Sequence, residues 1–245
     1  MPLLLESIGK KMDEIRSPYR LVIVDDGSTD GTEDLLKVYQ DRYPITVLKH
    51  DTNKNVGQVF RTGFKYVLDQ AKKGDIIVTK EADNTGDLGI LPAMLKKASE
   101  GDDVVLASCY AKGGGIEGTT LDRIILSSVA NMLLRIFFPI KGVSTYSSFY
   151  RAYKADVIKK AFAAYGSRFM EEDGFACMVE MLVKLSRLPI RIAEVPMVLR
   201  CDLRRGKSKM DKSETMLAYF RLISREIVGG KKDIGAVLAR FGGLS

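Results

Sequence analysis

The stretch from Leu21 to Thr32 constrains the fold of this chain more than any other. It reads Leu-Val-Ile-Val-Asp-Asp-Gly-Ser-Thr-Asp-Gly-Thr, and four apolar residues followed by turn residues predict a short buried strand. Gly27 and Gly31 allow a sharp turn, after which hydroxyl and carboxylate side chains can cap a helix. Asp25 and Asp26 therefore end a strand beside a helix N-terminus, where open α/β sheets bind ligands. A capped turn needs only one Asp, so the pair favours a binding site.

The rest of the chain alternates strand-like and helix-like segments. Strands are predicted at Leu21–Val24, Ile45–Lys49, Asp75–Lys80, Val104–Ser108, Ser147–Tyr153 and Ile190–Val198, and helices at Gly31–Tyr39, Gly57–Gln70, Leu88–Ala98, Asp122–Phe138, Ala155–Ala164, Glu171–Leu185 and Glu214–Ile227. This alternation predicts an α/β fold, with a mostly parallel central sheet and helices on both faces. Without a repeat or a low-complexity linker, we expect one domain over residues 1–245. Residues 1–210 would form its core and 211–245 an amphipathic helix and tail.

Composition limits the partners of the chain. The net charge of +7 and the isoelectric point near 9.2 favour an anionic partner, such as a phosphorylated substrate or an acidic membrane surface. The basic residues form no stripe with interleaved aromatics, so we do not expect nucleic acid binding. Three scattered cysteines suit neither a disulfide framework nor a zinc site, which indicates a reducing compartment. No signal-peptide pattern opens the sequence, so we expect a cytoplasmic location.

The Asp-Asp-Gly-Ser-Thr-Asp-Gly-Thr motif after an apolar strand resembles the nucleotide-sugar signature of family 2 glycosyltransferases, which have the Rossmann-like GT-A fold. Further motifs follow in the order of the polyprenyl-phosphate branch, typified by dolichol-phosphate mannose synthase: Glu81 to Asp83, Ser108 to Tyr110 with Gly113 to Gly115, Ser147 to Lys154, Glu172 to Phe175 and Gly206 to Lys209. The resemblance implies a metal-dependent, inverting transfer of a hexose. The donor would be a nucleotide diphosphate sugar of the GDP-mannose or UDP-glucose type, and the acceptor a dolichyl or undecaprenyl phosphate.

Glu81 and Asp83 follow a predicted strand and are two residues apart. In an extended segment such residues project to the same side, and paired hard oxygens suit Mg²⁺ or Mn²⁺. The resemblance makes this segment the metal site, with Thr85 as a weaker third ligand and Ala82 beside the nucleotide sugar. Without the resemblance, a solvated acidic turn explains the same residues.

Cations are expected at the two phosphate sites. The resemblance implies that Asp25 and Asp26 hold the nucleoside. It also implies that Lys209 and one arginine of the basic stretch 200–209, either Arg204 or its neighbours Arg200 and Arg205, approach the donor diphosphate. A solvated basic loop is the alternative. Arg123 and Ser127, one helical turn apart, match acceptor-phosphate positions of the family, although a helical surface turn explains them equally well.

The acceptor site departs from the family at Cys109, which stands where relatives carry an Arg. A neutral thiol cannot make a bidentate contact to phosphate. This departure leaves open a family 2 glycosyltransferase with a non-lipid acceptor. It also leaves open a non-catalytic, nucleotide-sugar-binding pseudoenzyme, which the longer side chain of Glu81 and the N-terminus favour as well.

The N-terminus departs from the family because Pro2 and the residues after it predict a helix, where relatives begin with an apolar strand. Either the start of the protein lies upstream, which we favour, or the sheet has lost a central strand and part of its nucleotide pocket. Two apolar segments, Ile124–Ile140 and Glu214–Val228, are too short or too charged to span a bilayer. They predict helices lying on the cytoplasmic face of a membrane as a peripheral contact, or helices buried in the core.

Overall fold

The structure of this chain, a computed structural model, describes residues 1–204, 206 and 211–241, with the side chains of the last helix described as far as Ile227. The helices are α1 (Pro2–Ile15), α2 (Thr32–Gln40), α3 (Asn55–Gln70), α4 (Leu91–Ser99), α5 (Leu121–Phe137), α6 (Ala155–Tyr165), α7 (Cys177–Ser186) and α8 (Lys212–Phe241). The strands are β1 (Leu21–Asp26), β2 (Ile45–His50), β3 (Ile76–Thr79), β4 (Val104–Ser108), β5 (Gly115–Glu117), β6 (Arg151–Lys154), β7 (Ile192–Pro196) and β8 (Val198–Arg200). The predicted α/β class is confirmed.

The strands form one four-stranded sheet and two parallel pairs. The larger sheet has the order β3-β6-β4-β7, in which β6 runs antiparallel to both neighbours and β4 runs parallel to β7. β1 pairs with β2, in a register that places Asp25 beside Lys49 and Asp26 beside His50. β5 pairs with β8. Parallel pairing therefore prevails, but β6 introduces an antiparallel strand that the sequence pattern does not reveal.

Helices cover both faces of the four-stranded sheet. On one face, α5, α6 and α7 surround a large core, in which α7 is buried along nearly its whole length. On the other face, Met94 and Ala98 of α4 pack against Val105 and Ala107 of β4. β4 is fully buried because apolar helices cover it on both sides.

Helix packing joins the β1–β2 pair to the rest of the molecule. In the described part of the chain, no hydrogen-bonded ladder links β1 to the four-stranded sheet. α3 contacts both: a Cβ at Gly63 would lie 3.4 Å from Val24 Cγ2, and the Phe64 ring stands edge-on to Tyr153 at 5.9 Å. On the other side, Leu5 of α1 packs with the residues of α2 and β2. The first four residues of β1 remain only half-buried.

Buried ion pairs attach α8 to the core. The Lys184 ammonium lies 2.7 Å from Glu180 and 3.5 Å from Glu226 of α8, and Arg225 lies 2.8 Å from Glu180. Glu180 and Glu226 are buried, and removing one partner from such a cluster would leave an uncompensated charge. Glu171 also lies 3.0 Å from Lys184, so an ammonium already occupies the space among these three carboxylates.

Several predicted bounds are wrong, for identifiable reasons. The strand predicted over Ile190–Val198 is two strands, because the chain changes partner from β4 to β5 at Met197. The strand predicted over Ser147–Tyr153 begins only at Arg151. The helix predicted from Glu171 begins at Cys177, because the N–H groups of Glu171 and Glu172 donate to the Glu180 carboxylate at 2.7 and 2.8 Å instead.

Three further elements differ from the predicted ones to a smaller extent. α8 extends well beyond the predicted Glu214–Ile227. The first turn of the predicted helix Leu88–Ala98 is a 3₁₀ turn. The short strand β5 lacks the alternating apolar pattern by which strands are recognised in a sequence.

No helix in the described ranges combines the length and apolarity that crossing a membrane demands.

Candidate active site

The turn after β3 forms the centre of the candidate site. Asp83 Oδ1 accepts hydrogen bonds from the backbone N–H of Thr85 at 3.1 Å and from its hydroxyl at 2.7 Å. Asn84 has a left-handed conformation, with φ of 63°, which lets the turn close tightly enough for these two bonds. Arg204 reaches this turn across 121 residues, and its Nε and Nη2 donate to Asp83 Oδ2 at 2.9 and 2.7 Å. The segment after β8 therefore closes over the acidic turn.

The two carboxylates of this turn differ in protonation. Burial, reinforced by the charge of Asp83, raises the pKa of Glu81 from its ordinary value of 4.5 to about 7. Burial also opposes ionisation of Asp83, but the hydrogen bonds from Thr85 and Arg204 outweigh it, and the pKa of Asp83 is lowered. The turn thus holds one firmly ionised carboxylate and one whose charge would be stabilised by a further cation.

Glu81 predicts an unusual dependence of stability on pH. The carboxyl binds its proton more tightly in the folded chain than in the unfolded chain, so stability falls as the pH rises from about 4.5 to about 7. The shift corresponds to at most about 3 kcal/mol. In the presence of EDTA, Glu81→Gln should therefore raise the free energy of unfolding at pH 8 by up to that amount, and by little at pH 4.5. Urea unfolding at both pH values, with the exposed Glu100→Gln as the control, measures this. An equal gain at both pH values would contradict the raised pKa.

Asp25 offers a buried acceptor without a partner. Its side chain is 4% exposed, and Oδ1 accepts the backbone N–H of Ser28 at 3.0 Å. Oδ2 is buried and has no hydrogen-bond partner within the described residues. The carboxylate borders a cavity of about 250 Å³, which Lys37 and Lys49 also line. A buried acceptor without a partner is costly unless a ligand donates to it.

Asp26 is engaged within the protein. Its Oδ1 lies 2.6 Å from His50 Nδ1 and accepts the backbone N–H of Lys54 at 2.9 Å. The second ring nitrogen of His50 lies 2.9 Å from the Thr62 hydroxyl, and His50 is itself buried. Asp26 therefore fixes the loop that follows β2.

The candidate acceptor residues lie on the first turns of α5. Arg123 and Ser127 are exposed, and the hydroxyl of Tyr110 donates to that of Ser127 at 2.8 Å. Burial raises the pKa of the Cys201 thiol, which the positive charges of Arg204 and Arg123 both lower. The loop before α5 contacts the turn that precedes Arg204, because a Cβ at Gly118 would lie 2.5 Å from Asp202. Cys109, half-buried after β4, has its pKa raised to about 11 by burial and is a neutral thiol.

The loop with Glu172 and Asp173 is held against the start of α3. Arg61 donates to the carbonyl of Met170 at 2.7 Å and pairs with the Asp173 carboxylate, while the N–H of Gly57 donates to the Asp173 carbonyl at 2.7 Å. A Cβ at Gly57 would lie 2.1 Å from the Glu172 carbonyl oxygen, so only glycine permits this approach. Glu172 and Asp173 belong to a fixed loop and are not a helical first turn.

The structure brings some of the predicted residues together and separates others. Glu81, Asp83, Thr85 and Arg204 form one cluster, with Ala82 exposed between the carboxylates. Asp25 and Asp26 lie at the tip of the separate β1–β2 pair, and Arg123 and Ser127 lie on α5. In the cluster, the Thr85 hydroxyl donates to Asp83, so its role as a metal ligand stays a prediction. Lys209 lies outside the described residues.

Sequence reasoning missed three residues around these positions. Tyr110 lies two residues after β4 and belongs to the motif from Ser108 to Tyr110, but no role is predicted for its side chain. Lys80 lies beside the acidic pair, its Nζ 5.5 Å from the centre of the Tyr150 ring, and burial lowers its pKa. Arg61 carries no signal in the sequence, because its partners lie more than 100 residues away.

A family comparison identifies the chain. The family model for Glycosyl transferase family 2 matches residues 2–162, which is well over half of the sequence. This chain belongs to glycosyltransferase family 2.

Characterised proteins similar to this chain are named for the transfer of mannose to polyprenyl phosphates or polyprenols. The following identities and coverages describe this chain against each of them. The chain is 28% identical over 208 residues to a dolichol-phosphate mannosyltransferase of Pyrococcus furiosus, covering 84% of this chain and 54% of that protein. It is 29% identical over 191 residues to an undecaprenyl-phosphate mannosyltransferase of Micrococcus luteus, covering 78% and 75% of the two chains. A polyprenol monophosphomannose synthase of Mycolicibacterium smegmatis is 25% identical, with coverages of 85% and 77%. The chain thus spans about half the length of the Pyrococcus relative.

Solved structures share the fold of this chain. TarS of S. aureus in complex with UDP-GlcNAc superposes with a TM-score of 0.55 at 19% identity, covering 92% of this chain and 64% of that chain. Glucosyl-3-phosphoglycerate synthase from Mycobacterium tuberculosis, solved with phosphoglyceric acid, gives 0.51 at 18% identity, covering 91% and 69%. The same synthase has been solved with Mn²⁺, UDP-glucose and glycerol 3-phosphate. The predicted GT-A fold is confirmed.

Proposed function

We propose that this family 2 glycosyltransferase transfers a hexose from a nucleotide diphosphate sugar to a polyprenyl phosphate at a membrane surface, with Mg²⁺ or Mn²⁺ bound. One observation carries the proposal: the loop that leads into α5, a helix with an exposed apolar face, contacts the turn that precedes Arg204, since a Cβ at Gly118 would lie 2.5 Å from Asp202. The mannosyltransferases to which this chain is similar are named for polyprenyl phosphate acceptors, which supports the lipid acceptor. They also favour a mannose donor such as GDP-mannose, while UDP-glucose remains the other donor type to test.

The acidic turn fits a divalent cation. Glu81 and Asp83 supply two carboxylates within three residues. Burial raises the pKa of Glu81 and so disfavours its charge, which a bound cation would stabilise. When bound, such an ion neutralises charge on the departing diphosphate. Arg204, which holds Asp83 in this structure, would add a guanidinium at the same place, and Lys209 is proposed to join it. Asp25, with its free carboxylate oxygen, would accept a hydrogen bond from the nucleoside, and Asp26 would keep the neighbouring loop in place.

The acceptor would approach along α5. Arg123 and Ser127 present a guanidinium and a hydroxyl that can hold the acceptor phosphate. One phosphate oxygen forms the new bond to the anomeric carbon as the bond between that carbon and the diphosphate breaks, and the nucleoside diphosphate leaves. A phosphate is already ionised at neutral pH, so the nucleophile needs no general base. Water and hydroxyl acceptors would need one.

Exposed apolar side chains on two neighbouring helices support the membrane contact. α5 exposes Leu121, Ile125, Met132 and Ile136, and α8, which packs beside it, exposes Leu217, Phe220 and Ile227. A large exposed apolar patch on a protein surface marks an interaction site. Amphipathic helices that lie on a membrane carry an apolar face of this kind. We place this surface on the cytoplasmic face of a membrane.

One observation favours a second candidate function. The neutral thiol of Cys109 stands where the polyprenyl-phosphate branch has an Arg, which weakens the case for a phosphate acceptor. A family 2 glycosyltransferase with a non-lipid acceptor is therefore the alternative, and Tyr110 and Ser127 would then contact that acceptor. Labelled sugar transfer to polyprenyl phosphate, compared with transfer to soluble acceptors, distinguishes the two.

Vesicle binding tests the membrane contact. The protein should sediment with phosphatidylcholine vesicles containing an anionic lipid, and the pair Ile125→Ser and Phe220→Ser should weaken binding at least about tenfold, since each side chain loses apolar burial. The control pair, Leu3→Ser and Val38→Ser, removes side chains of similar exposure: 51% and 58%, against 62% and 54% for Ile125 and Phe220. Equal effects of the two pairs, or no sedimentation at low ionic strength, would contradict the assignment.

A further inference from the structure

The end of α5 opposite to Arg123 borders a basic pocket. The pocket has a volume of about 440 Å³, and Arg135, Lys141, Tyr146 and the turn over residues 139–144 line it. Arg135 follows Arg123 by twelve residues on the same helix, which corresponds to about 18 Å along the helix axis. The pocket is therefore distinct from the proposed acceptor position.

The floor of the pocket is firmly built. The buried Tyr146 hydroxyl donates to the carbonyl of Phe138 and accepts the N–H of Ile140 at 3.2 Å. Asn131 donates to the Ser144 carbonyl at 2.5 Å and accepts the N–H of Tyr146 at 3.0 Å. These bonds fix both ends of the 139–144 turn, so the pocket exists before any ligand binds. Preformed sites lose less conformational entropy on binding.

The two cations of the pocket are not compensated. Arg135 and Lys141 are exposed, and neither makes an ion pair or a side-chain hydrogen bond within the part of the chain that the structure describes. The Glu194 carboxylate, at the end of the 139–144 turn, accepts the N–H groups of Ser144 and Thr145 at 2.7 and 2.8 Å. Its charge is thus directed to the backbone. A guanidinium and an ammonium remain free to bind an anion, and a guanidinium matches phosphate geometry.

Exposed apolar side chains lie next to Arg135 on α5. Ile136 and Phe137 follow Arg135 directly and are exposed, and Met132 lies one turn earlier on the same helix. An anion site that adjoins exposed apolar residues suits a ligand with a phosphate next to hydrocarbon chains. Lys and Arg beside apolar residues are also the arrangement found at the headgroup level of a bilayer.

We propose that this pocket binds the phosphate group of an anionic membrane lipid through Arg135 and Lys141. The inference rests on the membrane contact in the proposed function, but it does not depend on sugar transfer. A free phosphate ester shares the same chemistry, so the test includes both sources. The bound headgroup would hold α5 against the membrane, with Arg123 facing the lipid acceptor.

The test compares two charge-matched double variants. Arg135→Gln with Lys141→Gln should weaken binding to phosphatidylcholine vesicles containing phosphatidylglycerol about 10- to 30-fold, from the loss of two cations near an anionic surface. Lys72→Gln with Lys73→Gln makes the same change in net charge at two exposed lysines before β3. This control should stay within about threefold of the parent. Binding to vesicles of pure phosphatidylcholine should be equal in all three proteins.

Equal weakening by both double variants would overturn the proposal, because net charge alone would then explain the binding. Calorimetry with glycerol 3-phosphate separates the sources. Binding to the parent but not to the Arg135 and Lys141 variant would identify a site for a free phosphate ester, and absence of binding together with the vesicle effect would identify a lipid headgroup. Sugar transfer in detergent micelles should be unchanged in both variants. A failure of the proposed transferase activity would therefore leave the vesicle result interpretable.

Discussion

Replacing Asp83 with Asn should abolish sugar transfer, with a loss of about three orders of magnitude or more. Asp83 is the ionised member of the acidic turn, and Arg204 holds its carboxylate at 2.7 Å. Asn keeps the size and can still accept from Thr85, but it removes the negative charge that a divalent cation needs. Several kcal/mol of charge stabilisation at the departing diphosphate would be lost, which corresponds to a factor of this size.

Calorimetry separates this effect from a folding defect. Mn²⁺ or Mg²⁺ should tighten binding of the nucleoside diphosphate to the parent protein, and Asp83→Asn should remove the difference between titrations with metal and with EDTA. Asp87→Asn is the matched control, since it changes the same residue type four positions on, where the carboxylate accepts the N–H of Gly89 at 2.7 Å. Metal-independent nucleotide binding, unchanged in Asp83→Asn, would end the metal assignment.

Replacing Arg123 with Ala should weaken use of the polyprenyl phosphate acceptor by about one to two orders of magnitude. A charge-assisted hydrogen bond contributes roughly 1.5–3 kcal/mol, and the branch's second Arg is absent here, so Arg123 carries more of the phosphate recognition. Because Arg123 is exposed and forms no ion pair within the described residues, its removal should leave the fold intact. The KM for the acceptor should rise while nucleotide binding changes little.

Cys109→Arg provides the complementary experiment. It places a cation where the branch has one, so it should restore part of the loss caused by Arg123→Ala. Arg42→Ala, at an exposed position in the turn before β2, is the control for the loss of one positive charge. If Cys109→Arg leaves the Arg123→Ala defect untouched, the two positions do not bind the same phosphate. The hypothesis of a non-lipid acceptor would then explain the data better.

Local patterns in the sequence predict the strands and helices that bury apolar residues. β4 matches its predicted bounds because an uninterrupted apolar run admits few alternatives, and α5 differs by one residue at each end. The patterns fail where long-range contacts decide. Glu171 and Glu172 read as the first turn of α7, yet their N–H groups donate to the Glu180 side chain. Likewise, nothing local shows that the chain leaves β4 at Met197 to pair β8 with β5.

The candidate site shows the same division. The carboxylates Glu81 and Asp83 are visible in the sequence because they follow a strand, which fixes where they lie in an α/β fold. Arg204 pairs with Asp83, whereas Arg200 pairs with Asp202 at 2.7 Å. Which arginine reaches Asp83 depends on how the segment after β8 folds back, and the sequence does not show this. The engagement of Asp26 with His50 was equally hidden, because it needs the register of β1 on β2.

Transfer of labelled sugar to polyprenyl phosphate tests the central claim most directly. The parent protein, supplied with Mn²⁺ and either labelled GDP-mannose or labelled UDP-glucose, should convert the lipid phosphate into a labelled glycolipid. EDTA or Asp83→Asn should stop the reaction, and Asp87→Asn should not. Label that reaches only soluble acceptors would contradict the lipid-phosphate function. Nucleotide-sugar binding without any transfer would contradict catalysis and identify a pseudoenzyme.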